Sequence, residues 1–436
     1  MSPSSPASPG GLFRQRNFRL LWIGETISGA GSSMAVVGVP LAAVTVLRAS
    51  TFAVAALTAA AYLPWLVIGL PAAAWVDRLQ ARPLMIGCDV ISALLYASLP
   101  AAAWLGVLST GQLVVVALLA GTANVFFATA YQVCLPSLVT AAELVAGNAR
   151  LQGGASVAAI AGRGFAGLAA QAVGAVAALL FNAASFLVSA LCLLRIRPTG
   201  PSPQPTRQTG GVRTETWPGI CFVARDPYLR PLTIYAAIAN LAYTGNLALV
   251  VIFLVRVVGL SSAAAGLLMA TGGIGGLFGA LAAPRLTRAC GTARALVLTI
   301  MVTGLSGLLI PLTERGPRLA CYLIGSALIA GGLVVANVIA ASFRQEYCPP
   351  SMLGRVTASM RFLAFGMIPL GALLAGALGT ALGVRDGLWL ILVIFAASSL
   401  VLLNPRIRTA RNLPHAPART ERKSAVSSPL RSPKMS

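Results

Sequence analysis

The sequence predicts an all-α integral membrane fold, twelve transmembrane helices in two pseudo-symmetric six-helix bundles, on three observations. Of 436 residues, 57% are hydrophobic and 10% charged, which leaves too little polar surface to coat a soluble globule. The apolar residues gather in runs long enough to cross a bilayer, a crossing that takes about 20 residues. The basic residues punctuate those runs with the alternation that membrane topology requires.

Taken in order, a polar N-terminal tail (1–17) precedes spans at 18–46, 52–76, 84–106, 112–134, 149–171 and 174–194, which make a first half over 18–197. The fifth and sixth come from one almost unbroken apolar run between Arg150 and Arg195. That run is about twice the length one helix needs, and we divide it at Gly174. Hydropathy collapses over 198–228, where Pro, Gly, Ser and Thr predominate at the start, the composition of a flexible cytoplasmic linker. Six spans follow at 229–256, 263–285, 294–312, 319–342, 354–380 and 387–404, forming a second half over 229–404. The remainder, 405–436, reads as a basic, disordered cytoplasmic tail. A weak internal repeat supports the division: Gln132, Cys134, Pro136 and Ser137 echo Gln345, Cys348, Pro350 and Ser351, and Gly69 to Leu79 resembles Gly276 to Leu286. Repeated halves with a site between them are a common design for membrane transport.

A formal charge of +22 would suit a nucleic-acid partner, but the arginines do not share one face. With the N-terminus in the cytoplasm, only Arg48, Arg256, Arg315, Arg318 and Arg385 fall outside, and only Arg163 and Arg361 fall within spans. Topology therefore accounts for the charge, places both termini in the cytoplasm, and leaves no expected nucleic-acid partner. The seven cysteines have no paired spacing and the single histidine is His415 in the tail, so neither a disulfide framework nor a metal site is expected. Both lysines, Lys423 and Lys434, lie in the tail. A phosphate-cradling loop would lack its lysine, so no nucleotide cofactor is expected, enzyme chemistry has no visible machinery, and an ion gradient is the natural energy source.

Several stretches together resemble the major facilitator superfamily, and within it the bacterial macrolide-efflux and enterobactin-exporter-like branch. They are Phe13-Arg14-Gln15-Arg16-Asn17-Phe18-Arg19-Leu20-Leu21-Trp22, Ala184-Ser185-Phe186-Leu187-Val188-Ser189-Ala190, and Gly354-Arg355-Val356-Thr357-Ala358 with Arg361 and Pro369-Leu370-Gly371. The resemblance implies a multi-pass transporter of the bacterial inner membrane that acts as a monomer. The family's cytoplasmic loop signature, Gly-x-x-x-Asp-Arg-x-Gly-Arg-Arg, is partly matched, with Ala73 and Gln80 in place of glycines and Ala81 in place of an arginine. What carries over is a latch between the halves made by Asp77, Arg78 and Arg82. The exporters' fifth-span element, Gly-x-x-x-Gly-Pro-x-x-Gly-Gly, keeps Gly162 and Gly167 but has Arg163 where proline is expected. That change weakens the case for export and puts a permanent charge deep in a helix.

Of the ten carboxylates, Glu25 lies inside the first span and Asp89 just inside the third. Holding a carboxylate away from water favours its neutral form and brings its proton exchange towards the neutral pH range, which makes Glu25 the leading proton-coupling candidate and Asp89 the second. An ionisable group at a helix centre costs about 2.5–3.5 kcal/mol on insertion scales, so it normally faces a wet cavity or a partner. Counted at 1.5 Å per residue, Glu25 lies ~10 Å and Arg163 ~20 Å from the cytoplasmic end, so they pair only if the arginine reaches down. Arg361, one to two turns into the eleventh span, either joins the cavity or snorkels to the surface; with Arg163 it would suit an anionic substrate or lipid head group.

On the helices that line the family's cavity, the sparse polar residues are Asn124, Gln132, Asn240, Tyr243, Asn246 and Asn337. Each could equally bond a neighbouring helix, but as a set they predict a mostly apolar cavity for a hydrophobic or amphipathic compound. In the eighth span, Gly272 with Gly276 and Gly275 with Gly279 give two small-x-x-x-small pairs for close helix packing. The expected activity is proton-driven efflux by alternating access, with membrane lipid, protons and a small molecule as partners. A proton-coupled uptake symporter is the alternative within transport, and a non-transporting membrane receptor the alternative outside it.

Overall fold

The computed structural model describes residues 11–76, 79–138, 144–196 and 212–414. Among them, ten helices are long and apolar enough to cross a bilayer, and two shorter apolar helices, Thr51–Val67 and Leu179–Arg195, complete twelve. The first six are Arg16–Thr45, Thr51–Val67 continued by Gly69–Val76, Ala81–Trp104, Thr110–Leu138, Leu144–Val173 and Leu179–Arg195. The second six are Leu229–Ile252, Ser262–Cys290, Thr292–Gly307, Leu319–Tyr347, Pro350–Ala381 and Val384–Ser398. Residues such as Leu94, Phe278, Leu298 and Leu305 are more than half exposed on the outside of the bundle. That arrangement is stable where the surrounding solvent is hydrocarbon, since a helix keeps its backbone hydrogen bonds to itself.

Local chemistry sets the ends. Ser50 and Ser261, at equivalent places before the second and eighth spans, accept hydrogen bonds from Ala53 N and Ala264 N at 3.3 Å each, satisfying N–H groups that a helix start leaves free. The apolar run after Arg150 breaks where expected. Gly174 has φ +91°, a conformation that is readily open only to glycine, and the next helix starts at Leu179 after a short turn. The second span is interrupted at Ile68. Pro71, three residues on, has no N–H for the Val67 carbonyl and crowds the turn before it.

Two regions differ from the sequence reading. The supposed flexible linker contains a helix, Val212–Arg225, packed so closely on the eleventh span that a Cβ at Gly219 would lie 2.6 Å from Arg355 O. The start of the supposed disordered tail is also built into the fold. Residues 405–408 form a helical turn, Ala293 N donates to Arg411 O at 3.2 Å, and Leu413 N donates to Thr292 Oγ1 at 2.9 Å. Composition alone cannot reveal such backbone partners.

The halves meet along two seams, the fifth span against the eighth and the second against the eleventh. At the first seam a Cβ at Gly266 would fall 2.7 Å from Gly167 Cα, and one at Gly273 would fall 2.2 Å from Ile160 Cγ1. At the second, a Cβ at Gly376 would fall 2.6 Å from Ala55 Cβ. The tight contacts at Gly266 and Gly376 lie towards the end remote from the basic loops. There the guanidinium of Arg256, in a π-helical turn that ends the seventh span, donates to Ala49 O at 2.8 Å and Val44 O at 3.3 Å.

Candidate functional site

A cavity of about 670 Å³ lies within the first half, lined by the first four spans together with Arg163, Phe186 and Leu247. Small residues make the room: Gly29, Ala61, Ala117 and Ala120 line it, where larger side chains would fill it. Aromatic groups furnish its walls, among them Tyr62, Tyr96, Phe127 and Tyr131, and Ser28, Ser32, Ser33 and Ser92 give it hydroxyl groups. A mostly apolar cavity with a few convergent polar groups is the usual form of a small-molecule site.

Glu25 and Asp89 face this cavity together and lie in each other's electrostatic range. Asp89 is 2% exposed and accepts a hydrogen bond from the Ser189 side chain of the sixth span. Its Oδ2, and Oε1 of Glu25, are buried without a hydrogen-bond partner. Among the described residues, both ion pairs involve Glu314, with Arg318 and Arg385; Glu25 is not paired with Arg163. The electrostatic neighbours of Arg163 are instead Tyr62 of the second span and Tyr322 of the tenth, which also interact with Tyr243 of the seventh. The Arg163 Nε is buried with no hydrogen-bond partner. One cavity thus holds an acidic pair and a separate guanidinium flanked by tyrosines from both halves.

Of the predicted lining residues, Asn124, Gln132 and Arg163 line the cavity. The second-half candidates are not among its lining residues. Asn240 donates Nδ2 to Ala236 O of its own helix at 2.9 Å, and Tyr243 packs against the hydrophobic core. Asn246 is 6% exposed with an unpartnered Oδ1, and Asn337 is exposed and does not line the cavity. Arg361 is exposed and its electrostatic neighbour is Arg344, so the structure does not bring it together with Arg163. Polar type marks candidates, but which way a helix faces is settled only by packing.

Asp77 and Arg78 lie outside the described residues. Arg82 does not bridge the halves: its Nε and Nη2 donate to Leu193 O and Leu194 O at 2.8 and 2.7 Å. It caps the end of the sixth span within its own half, because a helix C-terminus presents free carbonyls to a cation. The glycine pairs divide similarly. Cβ atoms at Gly275 and Gly279 would fall 2.1 and 2.2 Å from Ala327 O and Gly331 O of the tenth span, whereas those at Gly272 and Gly276 would meet nothing within 3.5 Å. Gly162 packs on Ala30 and Gly167 on Gly266.

Ser189, Tyr62 and Tyr322 were not distinguishable in the sequence, since hydroxyl groups are common in apolar spans and nothing local marks their partners. Asp226 was legible but passed over. It is 8% exposed, its Oδ1 accepts Tyr228 N and Leu229 N at 2.9 Å each, and its Oδ2 accepts the Tyr347 hydroxyl at 2.7 Å. An Asp just before an apolar run is a helix-start signal.

Comparison with known proteins agrees with this architecture. A "Multidrug efflux pump Tap" from Mycolicibacterium fortuitum is 28% identical over 375 residues, which cover 84% of this chain and 90% of that pump. Among solved structures, the nucleoside transporter NupG aligns at TM-score 0.69 with 13% identity, covering 88% of this chain and 97% of that one. A bacterial homologue of the iron transporter ferroportin, in an inward-facing state, aligns at 0.70 with 15% identity, covering 89% and 98%. The family model of the Major Facilitator Superfamily matches residues 21–371. With that match, twelve spans in two halves and a cavity for a small molecule, the chain belongs to the Major Facilitator Superfamily of transporters.

Proposed function

We propose that this transporter exports a hydrophobic or amphipathic small molecule in exchange for protons, by alternating access of the cavity to the two sides of the membrane. The observation that carries the reading is the acidic pair. Glu25 and Asp89 share one cavity with no cation at ion-pair distance among the described residues. An isolated charge held away from water is costly unless it is paired or neutralised. Protonation relieves that cost when the cavity is occluded, and release restores the charge when it floods. A change of water access is thereby tied to a change of protonation, which is the requirement for coupling transport to a proton gradient.

The apolar and aromatic lining supports a hydrophobic ligand, and Asn124, Gln132 and Arg163 supply the polar groups that would orient it. Likeness to a multidrug efflux pump over most of both chains supports the outward direction. The close glycine contacts at Gly266 and Gly376 and the Arg256 ties lie towards the end remote from the basic loops, which supports ligand exchange at the basic end, the one that the positive-inside rule assigns to the cytoplasm.

The test is transport in inverted membrane vesicles energised by respiration, across a panel of hydrophobic compounds, with wild type beside Glu25→Gln and Asp89→Asn. Export predicts accumulation that collapses with an uncoupler. An adequate panel with no gradient-dependent movement in wild type would remove the reading, and movement only out of such vesicles would reverse its direction.

A further inference from the structure

A second groove, of about 450 Å³, lies at the basic end of the second half, away from the cavity above, between the start of the seventh span and the end of the twelfth. Three arginines from three separate elements converge on it: Arg225 ends the helix before the seventh span, Arg230 lies in the first turn of that span, and Arg406 follows the twelfth. All three are exposed, and none has an ion-pair partner among the described residues.

The groove has one carboxylate, Asp226, and its oxygens are already committed to Tyr228 N, Leu229 N and the Tyr347 hydroxyl. It offsets one of the three charges but has no geometry left for a guanidinium fork. Like charges gathered beside a membrane surface repel unless an anion lies among them, and guanidinium groups match the oxygens of a phosphate. The span boundaries, Leu229 and Leu403, put these arginines at the level where phosphate groups lie. Ile234, one turn deeper than Arg230 on the same helix face, also lines the groove and is 39% exposed, so the groove passes from cationic to apolar in the direction of the hydrocarbon.

We infer that this groove binds the phosphate headgroup of an anionic glycerophospholipid, with Arg225, Arg230 and Arg406 on the phosphate and an acyl chain beside Ile234. The lipid bridges the linker helix, the seventh span and the chain after the twelfth, three elements that meet here.

The experiment uses the full chain, purified and placed in nanodiscs of phosphatidylcholine with a small fraction of fluorescent phosphatidylglycerol, and reads retention of the labelled lipid and the thermal unfolding midpoint. Arginine beside an anionic surface contributes roughly 1 kcal/mol, so each Arg→Gln change should weaken retention about fivefold, and the triple variant R225Q/R230Q/R406Q on the order of a hundredfold. A control triple, R285Q/R288Q/R294Q, removes the same charge from the eighth and ninth spans at the same end and should retain the lipid as wild type does. Equal loss in both triples would reduce the effect to general surface attraction and overturn the site. An unchanged R225Q/R230Q/R406Q would overturn it directly. Inorganic phosphate that protects as well as the lipid does would replace the proposed occupant with a soluble anion. If the triple variant does not fold, R406Q alone, which lies outside every span, decides by its own fivefold change.

Discussion

Arg256 of the seventh span donates to the Ala49 carbonyl, between the first and second spans, at 2.8 Å, and so ties one half of the transporter to the other at the end remote from the basic loops. A charged hydrogen bond contributes about 1.5–3 kcal/mol when shielded and less when part-exposed, as here. Arg256→Gln should therefore loosen this end. With the native cysteines replaced, a cysteine at Ala55, which is fully buried, should be alkylated about fivefold faster in the variant, a change equivalent to about 1 kcal/mol. Equal rates would mean that the seams alone hold the end shut.

The fifth and eighth spans touch through Gly167 and Gly266, where a Cβ on Gly266 would lie 2.7 Å from Gly167 Cα. Both partners are backbone, so Gly266→Ala must push the helices apart. Overpacking of this kind costs about 1–3 kcal/mol. We expect a folded protein that disfavours this conformation, seen as faster alkylation at the same buried position with unfolding midpoint lowered by only a few degrees.

Asp226 caps the seventh span and holds Tyr347 of the tenth. Loss of a helix cap costs about 1 kcal/mol, and a buried hydroxyl left without an acceptor adds about 1–3 kcal/mol. Asp226→Ala should thus destabilise by about 2–4 kcal/mol and Tyr347→Phe by less, while the double variant, which leaves no hydroxyl orphaned, should fall back towards the ~1 kcal/mol of the lost cap. Additive losses in thermal or denaturant unfolding would show that the two groups act independently.

Glu314, in the loop after the ninth span, is held below the ordinary carboxylate value, first by its hydrogen bond and charge attraction to Arg318 and then by Arg385. A depressed folded value means that the contribution is complete above about pH 4.3, the unfolded value, and is lost as pH falls through the lowered one. Acid should therefore loosen the Arg385 tie to the twelfth span. The slope of the unfolding midpoint against pH below 4.5 should flatten in Glu314→Gln, and high salt should shrink the difference because the group is exposed.

Glu25→Gln and Asp89→Asn should each abolish concentrating power while leaving downhill movement of compound, the signature of lost coupling rather than lost binding. Facilitated exchange across unenergised vesicles measures this. Full uphill transport in the double variant would assign coupling elsewhere.

Much of the fold could be read in advance. Span ends, the break at Gly174 and the division into halves rest on hydropathy, charge and glycine conformation, all local properties of the chain. The helix within 198–228 was missed because its stabilising partner is the eleventh span, with Arg355 lying 136 residues beyond Gly219, rather than its own composition. The site was legible in part. Glu25, Asp89, Asn124, Gln132 and Arg163 stood out because a polar group in an apolar run is costly and rarely idle, and the structure brings all of them to one cavity.

The sequence by itself determined that this chain lives in a membrane, how many times it crosses, and which few ionisable groups lie within the crossings. Only the tertiary structure decided that Glu25 stands beside Asp89 rather than Arg163, that Arg82 caps the sixth span, and that Arg225, Arg230 and Arg406 share a groove. The reason is physical. Crossing a bilayer is governed by the transfer energy of each segment taken alone, whereas the facing of a helix is set by packing against neighbours that may lie hundreds of residues away.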